Sequence, residues 1–139
     1  MHALTVRQPW ADAIAYGGKT TENRTWPVPE KHIGKPILIH AGASYDPMGR
    51  FLITDWDALD SWPNSRSAIV AVASLTDCHR SAGTCCAPWG ESDVYHWQLA
   101  DVRRLRHPVP ARGALGFWTP NQAVIEDVIT QTTALRPSA

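Results

Sequence analysis

Lys19, Glu22 and Arg24 stand close together in the stretch GGKTTENRTW, and their chemistry is complementary. The planar fork of an arginine fits a phosphate or a guanine edge, and a glutamate accepts from an exocyclic amine such as that of cytosine. A lysine at a turn serves as a point charge for phosphate or, once desolvated, as a base. The same spacing also fits a cross-strand Glu–Arg ion pair beside a solvated lysine. Gln8 and Trp10 lie just upstream at a helix start, where unpaired N–H groups suit an anion. Trp10 fits the apolar face of that helix equally well, and Trp26 closes the stretch with a second aromatic surface.

Other residues with chemical potential are scattered. His40 ends an apolar strand, where it is either presented to a ligand or held by structural hydrogen bonds. Arg103, Arg104 and Arg106, with Arg112, form the strongest basic cluster, either a phosphate-contacting rim or a solubilising strand end. Cys78, His79, Cys85, Cys86 and His96 carry metal-binding groups. No C-x-x-C pair is present, however, and the spacings match no familiar zinc site. Buried cysteine more often acts as a small hydrophobe. The expectation is therefore no metal and no cofactor. Asp55, Asp57 and Asp60 read as a solvated helix face.

These groups need elements to hold them. Leu4–Val6 is a β-branched run and predicts a strand. Pro9 suits the first position of a helix, and Trp10, Ala13, Ile14 and Gly17 share one helical face. Gly17-Gly18 ends that helix. Thr20–Trp26 then alternates, with Glu22, Arg24 and Trp26 on one face. Lys19 is out of phase with them, so the strand must begin after it if the turn is to aim it at the same cleft. Pro36–Ala41 is a strand, and Ala68–Leu75, apolar throughout, is a central strand buried on both faces. Asp46-Pro47 opens a helix whose apolar stripe is Met48, Phe51, Leu52, Trp56 and Leu59. Val94–Leu105 is a strand, Pro108–Gly113 a loop, and Leu115–Trp118 a short last strand. A capping box at Thr119–Gln122 starts the terminal helix, Ala123–Thr132. The chain should fray from Leu135 onward.

The chain has 139 residues, 44% hydrophobic and 19% charged, which suits one soluble domain with one core. The expectation is one domain over residues 1–139, with its core at about 4–132. Thirteen basic and thirteen acidic residues cancel, which argues against coating nucleic acid by bulk charge and leaves room for a local basic groove. Seven tryptophans are many for this length and suit a base-stacking pocket. Three cysteines do not suggest a disulfide scaffold. No apolar run approaches the roughly 20 residues of a membrane span, and the first residues lack the layout of a secretory signal, so a cytoplasmic location is expected.

The order of QPWA (Gln8–Ala11), GxK (Gly17, Lys19), ExR (Glu22, Arg24) and an apolar strand ending in His40-Ala41 resembles the ASCH (activating signal cointegrator homology) domain, in the PUA-like superfamily. The likeness extends more loosely to the Ala68–Cys78 strand and to Gly113…Gly116-Phe117-Trp118. It implies an α+β fold, a small mixed β-barrel with helices packed outside. It also implies binding of RNA, DNA or a nucleotide-like ligand, with no membrane role.

On that reading Gln8, Trp10, Lys19, Glu22, Arg24, Trp26, His40, Arg103, Arg104 and Arg112 are the ligand-binding candidates. The alternative is a small hydrolase, an amidase on acylated nucleosides or a ribonuclease, with Lys19 and Glu22 catalytic. Amidase relatives place a threonine nucleophile three residues after the lysine. That position is Glu22 here, and Thr20 and Thr21 are out of register. A protein-interaction module in transcription or translation is a further alternative.

Overall fold

The computed structural model describes residues 1–134, so the expected fraying from Leu135 lies outside the described residues. Six strands form one mixed sheet: β1 (His2–Gln8), β2 (Thr21–Arg24), β3 (Lys35–Tyr45), β4 (Ala68–Arg80), β5 (Tyr95–Pro110) and β6 (Phe117–Trp118). Their order is β2-β5-β4-β3-β1-β6; β1 and β3 are parallel and the other neighbours antiparallel. The helices are α1 (Trp10–Tyr16), α2 (Gly49–Leu52), α3 (Trp56–Ser61) and α4 (Gln122–Ala134), and none is long and apolar enough to cross a membrane.

Strand alternation builds two cores. Leu4, Val6, Ile37 and Ile39 face inward with Val70, Leu75, Trp97 and Leu99, and Ala11 and Ile14 of α1 cover them. Ala3, Leu38 and Ile69 point to the opposite face, where Leu105, Val109 and the α4 residues Val124 and Val128 close over them. The apolar run at Ala68–Leu75 thus sits mid-sheet and is covered on both faces, as its composition requires. Three register shifts between β4 and β5 bend this long pair, and bulges add local twist.

The sheet is not closed into a barrel by strand pairing: β2 and β6 are its two edges. Side chains bridge the gap instead. Trp26, just past β2, and Phe117 of β6 have ring centroids 6.1 Å apart, and both pack on Trp97, at 4.7 and 5.3 Å.

Several elements depart from the sequence reading. β3, β4 and β5 run longer than expected, and the supposed loop from Pro108 is still strand, with Val109 paired to Ile69 and Pro110 to Ala68. The expected helix after Asp46 is broken in two, because Ile53 at the end of α2 is extended and Asp55 caps a second helix by accepting from the Ala58 N–H at 3.0 Å. Its apolar stripe does not form: Leu59 is buried, whereas Met48, Phe51, Leu52 and Trp56 are exposed. At α4 the cap is Asn121, which accepts from the Val124 N–H at 3.0 Å, two residues beyond Thr119, the expected start of the capping box.

Candidate functional site

The turn between α1 and β2 positions the central residues. Gly18 takes φ +71°, a left-handed conformation that glycine adopts without penalty. A Cβ on Gly17 would lie 2.6 Å from the Trp62 ring, so only glycine admits this tryptophan. The Gly17 and Lys19 N–H groups both donate to the Ala13 carbonyl, at 2.9 and 3.0 Å, which ends the helix and turns Lys19 inward. β2 begins at Thr21, after Lys19, as required for Lys19 to join the Glu22 face.

Lys19 is only 2% exposed, which rules out the solvated lysine of the simpler reading. Its ammonium donates to the Thr21 carbonyl, lies 3.4 Å from Glu22 Oε1 and sits 5.8 Å from the Trp10 ring centre. Arg24 Nη2 donates to Glu22 Oε2 at 2.9 Å and to the Thr5 carbonyl at 2.7 Å. Glu22 is therefore buried between two cations. Burial alone would push its carboxyl up, but Lys19 and Arg24 together outweigh that and hold it below the ordinary carboxylate range. Arg24 Nε is buried and has no hydrogen-bond partner among the described residues. A buried donor without a partner is costly.

These groups line a cleft of about 830 Å³. Four of the seven tryptophans contribute to it: Trp10, Trp26, Trp62 and Trp89. Trp10 is fixed by its indole N–H, which donates to Asp46 Oδ2 at 2.9 Å; that bond is the main reason the Asp46 carboxyl is held down. Trp89 arrives on the β4–β5 connection, which Asn23 clamps in both directions. The Asn23 amide donates to the Trp89 carbonyl at 2.9 Å and accepts from the Glu91 N–H at 2.9 Å. The lining holds three cations, Arg7, Lys19 and Arg24, against four carboxylates, Glu22, Asp46, Asp55 and Glu91. Asn23, Trp62 and Trp89 escaped the sequence reading; the tryptophan excess was the only signal pointing toward the last two.

The other candidates are elsewhere. Gln8 is fully buried outside the cleft lining; its amide donates to the Ser65 carbonyl at 2.8 Å and accepts from the Asp12 N–H at 2.9 Å, so it supports the first turn of α1. His40 is 1% exposed and sits in a relay. Trp118 Nε1 donates to Thr5 Oγ1 at 3.1 Å, Thr5 Oγ1 meets His40 Nδ1 at 3.1 Å, and His40 Nε2 meets the Ala111 carbonyl at 2.7 Å. That is the structural-histidine alternative. Arg103 pairs with Asp101 at 3.4 Å, and Arg104 stacks over Tyr16 at 4.7 Å. Neither lines the cleft, nor does Arg112. β5 carries Arg103 and Arg104 away from the end where β2 pairs with it.

The comparisons with known proteins agree with this architecture. No curated protein matches the sequence. Among solved structures, ASCH from Zymomonas mobilis is similar at a TM-score of 0.55 and 13% identity, covering 93% of this chain and 93% of that one. Its tyrosine-to-phenylalanine mutant (TM-score 0.56, 13% identity, 93% and 96% coverage) and its serine-to-alanine mutant (0.54, 13%, 93% and 94%) match equally well. At this identity the likeness concerns the fold. The family model of the ASCH domain matches residues 4–108, which run from within β1 through most of β5 and include every residue of the Lys19–Glu22–Arg24 group, and the chain belongs to the ASCH domain family.

Proposed function

We propose that the cleft binds a nucleobase-bearing ligand, either a nucleotide or an unstacked base of RNA or DNA. The observation that carries this reading is Arg24: a guanidinium oriented by Glu22 and Thr5 in the lining of a cleft walled by four tryptophans. Aromatic walls stack on any base, at about 1–3 kcal/mol each, and a fixed polar edge reads its acceptors. The cleft volume suits a single small ligand rather than a long strand. Its carboxylates also oppose a track of phosphates.

The threonine-nucleophile form of the hydrolase reading has less support. Lys19 meets the carbonyl of Thr21 and not its hydroxyl, while that hydroxyl accepts from the Gln98 amide at 3.2 Å and does not line the cleft. The experiment is calorimetric titration with nucleoside monophosphates, acylated nucleosides and short RNA and DNA strands, with product analysis of each mixture. Saturable binding that weakens at least tenfold in Arg24→Ala supports the proposal. Turnover of an acylated nucleoside would replace it with the hydrolase reading, and no binding of any probe would refute both.

A further inference from the structure

A second group of chemically active side chains lies behind the cleft wall. His79 and His96 are direct cross-strand partners in β4 and β5, and the connecting segment folds back to place Cys85 and Cys86 beside them. One ligand atom from each of the four lies within 4.8 Å of all the others. We propose that His79 Nε2, Cys85 Sγ, Cys86 Sγ and His96 Nδ1 form a structural zinc site that clasps this segment to the sheet.

The edges of the group carry the argument. Cys85 Sγ is 3.7 Å from His79 Nε2 and 3.4 Å from His96 Nδ1, and Cys86 Sγ is 3.4 Å from His79 Nε2. A tetrahedron drawn with zinc–sulfur and zinc–nitrogen bonds of about 2.3 and 2.05 Å has S···N edges of about 3.6 Å. The three measured edges bracket that length. The widest separation, within 4.8 Å, must close by about 1 Å through side-chain adjustment.

Both imidazoles are already oriented as ligands. His79 Nδ1 is 2.8 Å from Asp77 Oδ2, and His96 Nε2 is 2.6 Å from the Glu91 carbonyl. Each outer acceptor holds the ring proton on the far nitrogen, leaving the lone pair of the near one facing the sulfurs. That is the outer-shell arrangement of zinc-bound histidine. The sulfurs are supplied with donors too: the Ala82 N–H reaches Cys85 at 3.3 Å and the Gln98 amide reaches Cys86 at 2.7 Å. Zinc binding releases one proton from each thiol to solvent, and two thiolates neutralise the ion.

The backbone is shaped to this cluster. Cys86 holds φ +64°, uncommon for a side chain that is not glycine. A Cβ on Gly90 would lie 2.7 Å from His96 Cε1 and 2.9 Å from Cys86 Cβ, so the chain passes against both residues. The third cysteine, Cys78, stays apart and packs on the inner core. The four-ligand set is spaced H-x5-C-C-x9-H, which explains why no zinc motif was legible.

The test uses the full chain, stripped with a chelator and kept under a non-thiol reductant. Cobalt(II) is titrated in, followed by zinc. The proposal expects one equivalent of cobalt, intense visible bands of a tetrahedral ion with sulfur-to-cobalt charge transfer, and their loss as zinc displaces it. Cys78→Ser should behave as wild type, and Cys85→Ser should lose the charge-transfer intensity. Should Cys85→Ser fail to fold by circular dichroism, His79→Ala, altered at a partly exposed position, decides: its zinc affinity should fall at least tenfold. Absence of tetrahedral bands in the wild type, or unchanged zinc affinity in folded His79→Ala, would overturn the site.

Discussion

Arg24 Nη2 donates to the backbone carbonyl of Thr5 at 2.7 Å, and this single bond joins strands at the two ends of the sheet. β2 is one edge, and β1 is next to the other edge. The sheet must coil until these ends meet, and Arg24 spans the gap that backbone pairing leaves open. One side chain therefore bridges the two ends of the sheet and also lines the cleft.

Arg24→Ala should be costly in two ways. The lost charge-assisted bonds predict destabilisation of about 1.5–3 kcal/mol in urea titration and a ligand affinity reduced roughly ten- to hundredfold. Arg24→Lys keeps the charge and loses the fork, so it should recover stability better than affinity. A variant that melts like wild type would mean that the Arg24–Thr5 bridge contributes nothing.

Glu22→Gln should be more damaging than removal of a surface carboxylate. It leaves Lys19 and Arg24 facing each other without a counter-charge, and breaking a buried pair in this way costs about 3–5 kcal/mol. The pH dependence follows from the lowered folded pKa. The unfolded chain binds the proton first, near the ordinary 4.5, so Glu22's contribution is complete above that pH and is lost as pH falls through the folded value. Glu22→Gln should flatten the acid limb of a stability–pH curve; an unchanged limb would assign acid unfolding to other groups.

His40 predicts a separate effect at milder pH. Burial is the first cause of its lowered pKa, and the Ala111 bond only partly offsets it. The unfolded state therefore takes up a proton below about the ordinary 6.5 while folded His40 stays neutral, and stability should fall as pH drops from there toward the folded value. Proton NMR of the imidazole should give a titration midpoint below the ordinary 6.5, and a midpoint at or above it would contradict burial as the dominant influence on His40.

Salt dependence should be shallow. Of the cleft cations, Lys19 and Arg24 already contact Glu22, which leaves Arg7, itself 3.6 Å from Asp46. At about −0.7 per neutralised phosphate on single strands, the slope of log K against log salt should be about −1. Arg103→Ala and Arg104→Ala should leave binding unchanged. A slope beyond −3, or a loss of affinity in either variant, would move the interface to the β5 face.

Local sequence determined much of this protein. The break at Gly17-Gly18 placed the end of α1, and period-two alternation put Glu22 and Arg24 together, because both follow from backbone sterics within a few residues. The unbroken apolar run at Ala68–Leu75 marked a strand covered on both faces, since only burial on both sides tolerates such a run. The QPWA–GxK–ExR order was sufficient to indicate the family. What tertiary structure alone decided was which distant groups share a space. Three register shifts between β4 and β5 set where Arg103 and Arg104 emerge, and no local pattern encodes them. Coiling of the sheet brought Thr5 to Arg24, although they sit on strands that never pair. The stripe expected from Met48 to Leu59 failed because Asp55 capped a second helix at the cost of the first, a competition settled by local hydrogen bonding rather than by hydrophobic period. The return of the β4–β5 connection carried Trp89 to the cleft and two cysteines to two histidines, because antiparallel pairing made His79 and His96 neighbours across 17 positions of sequence.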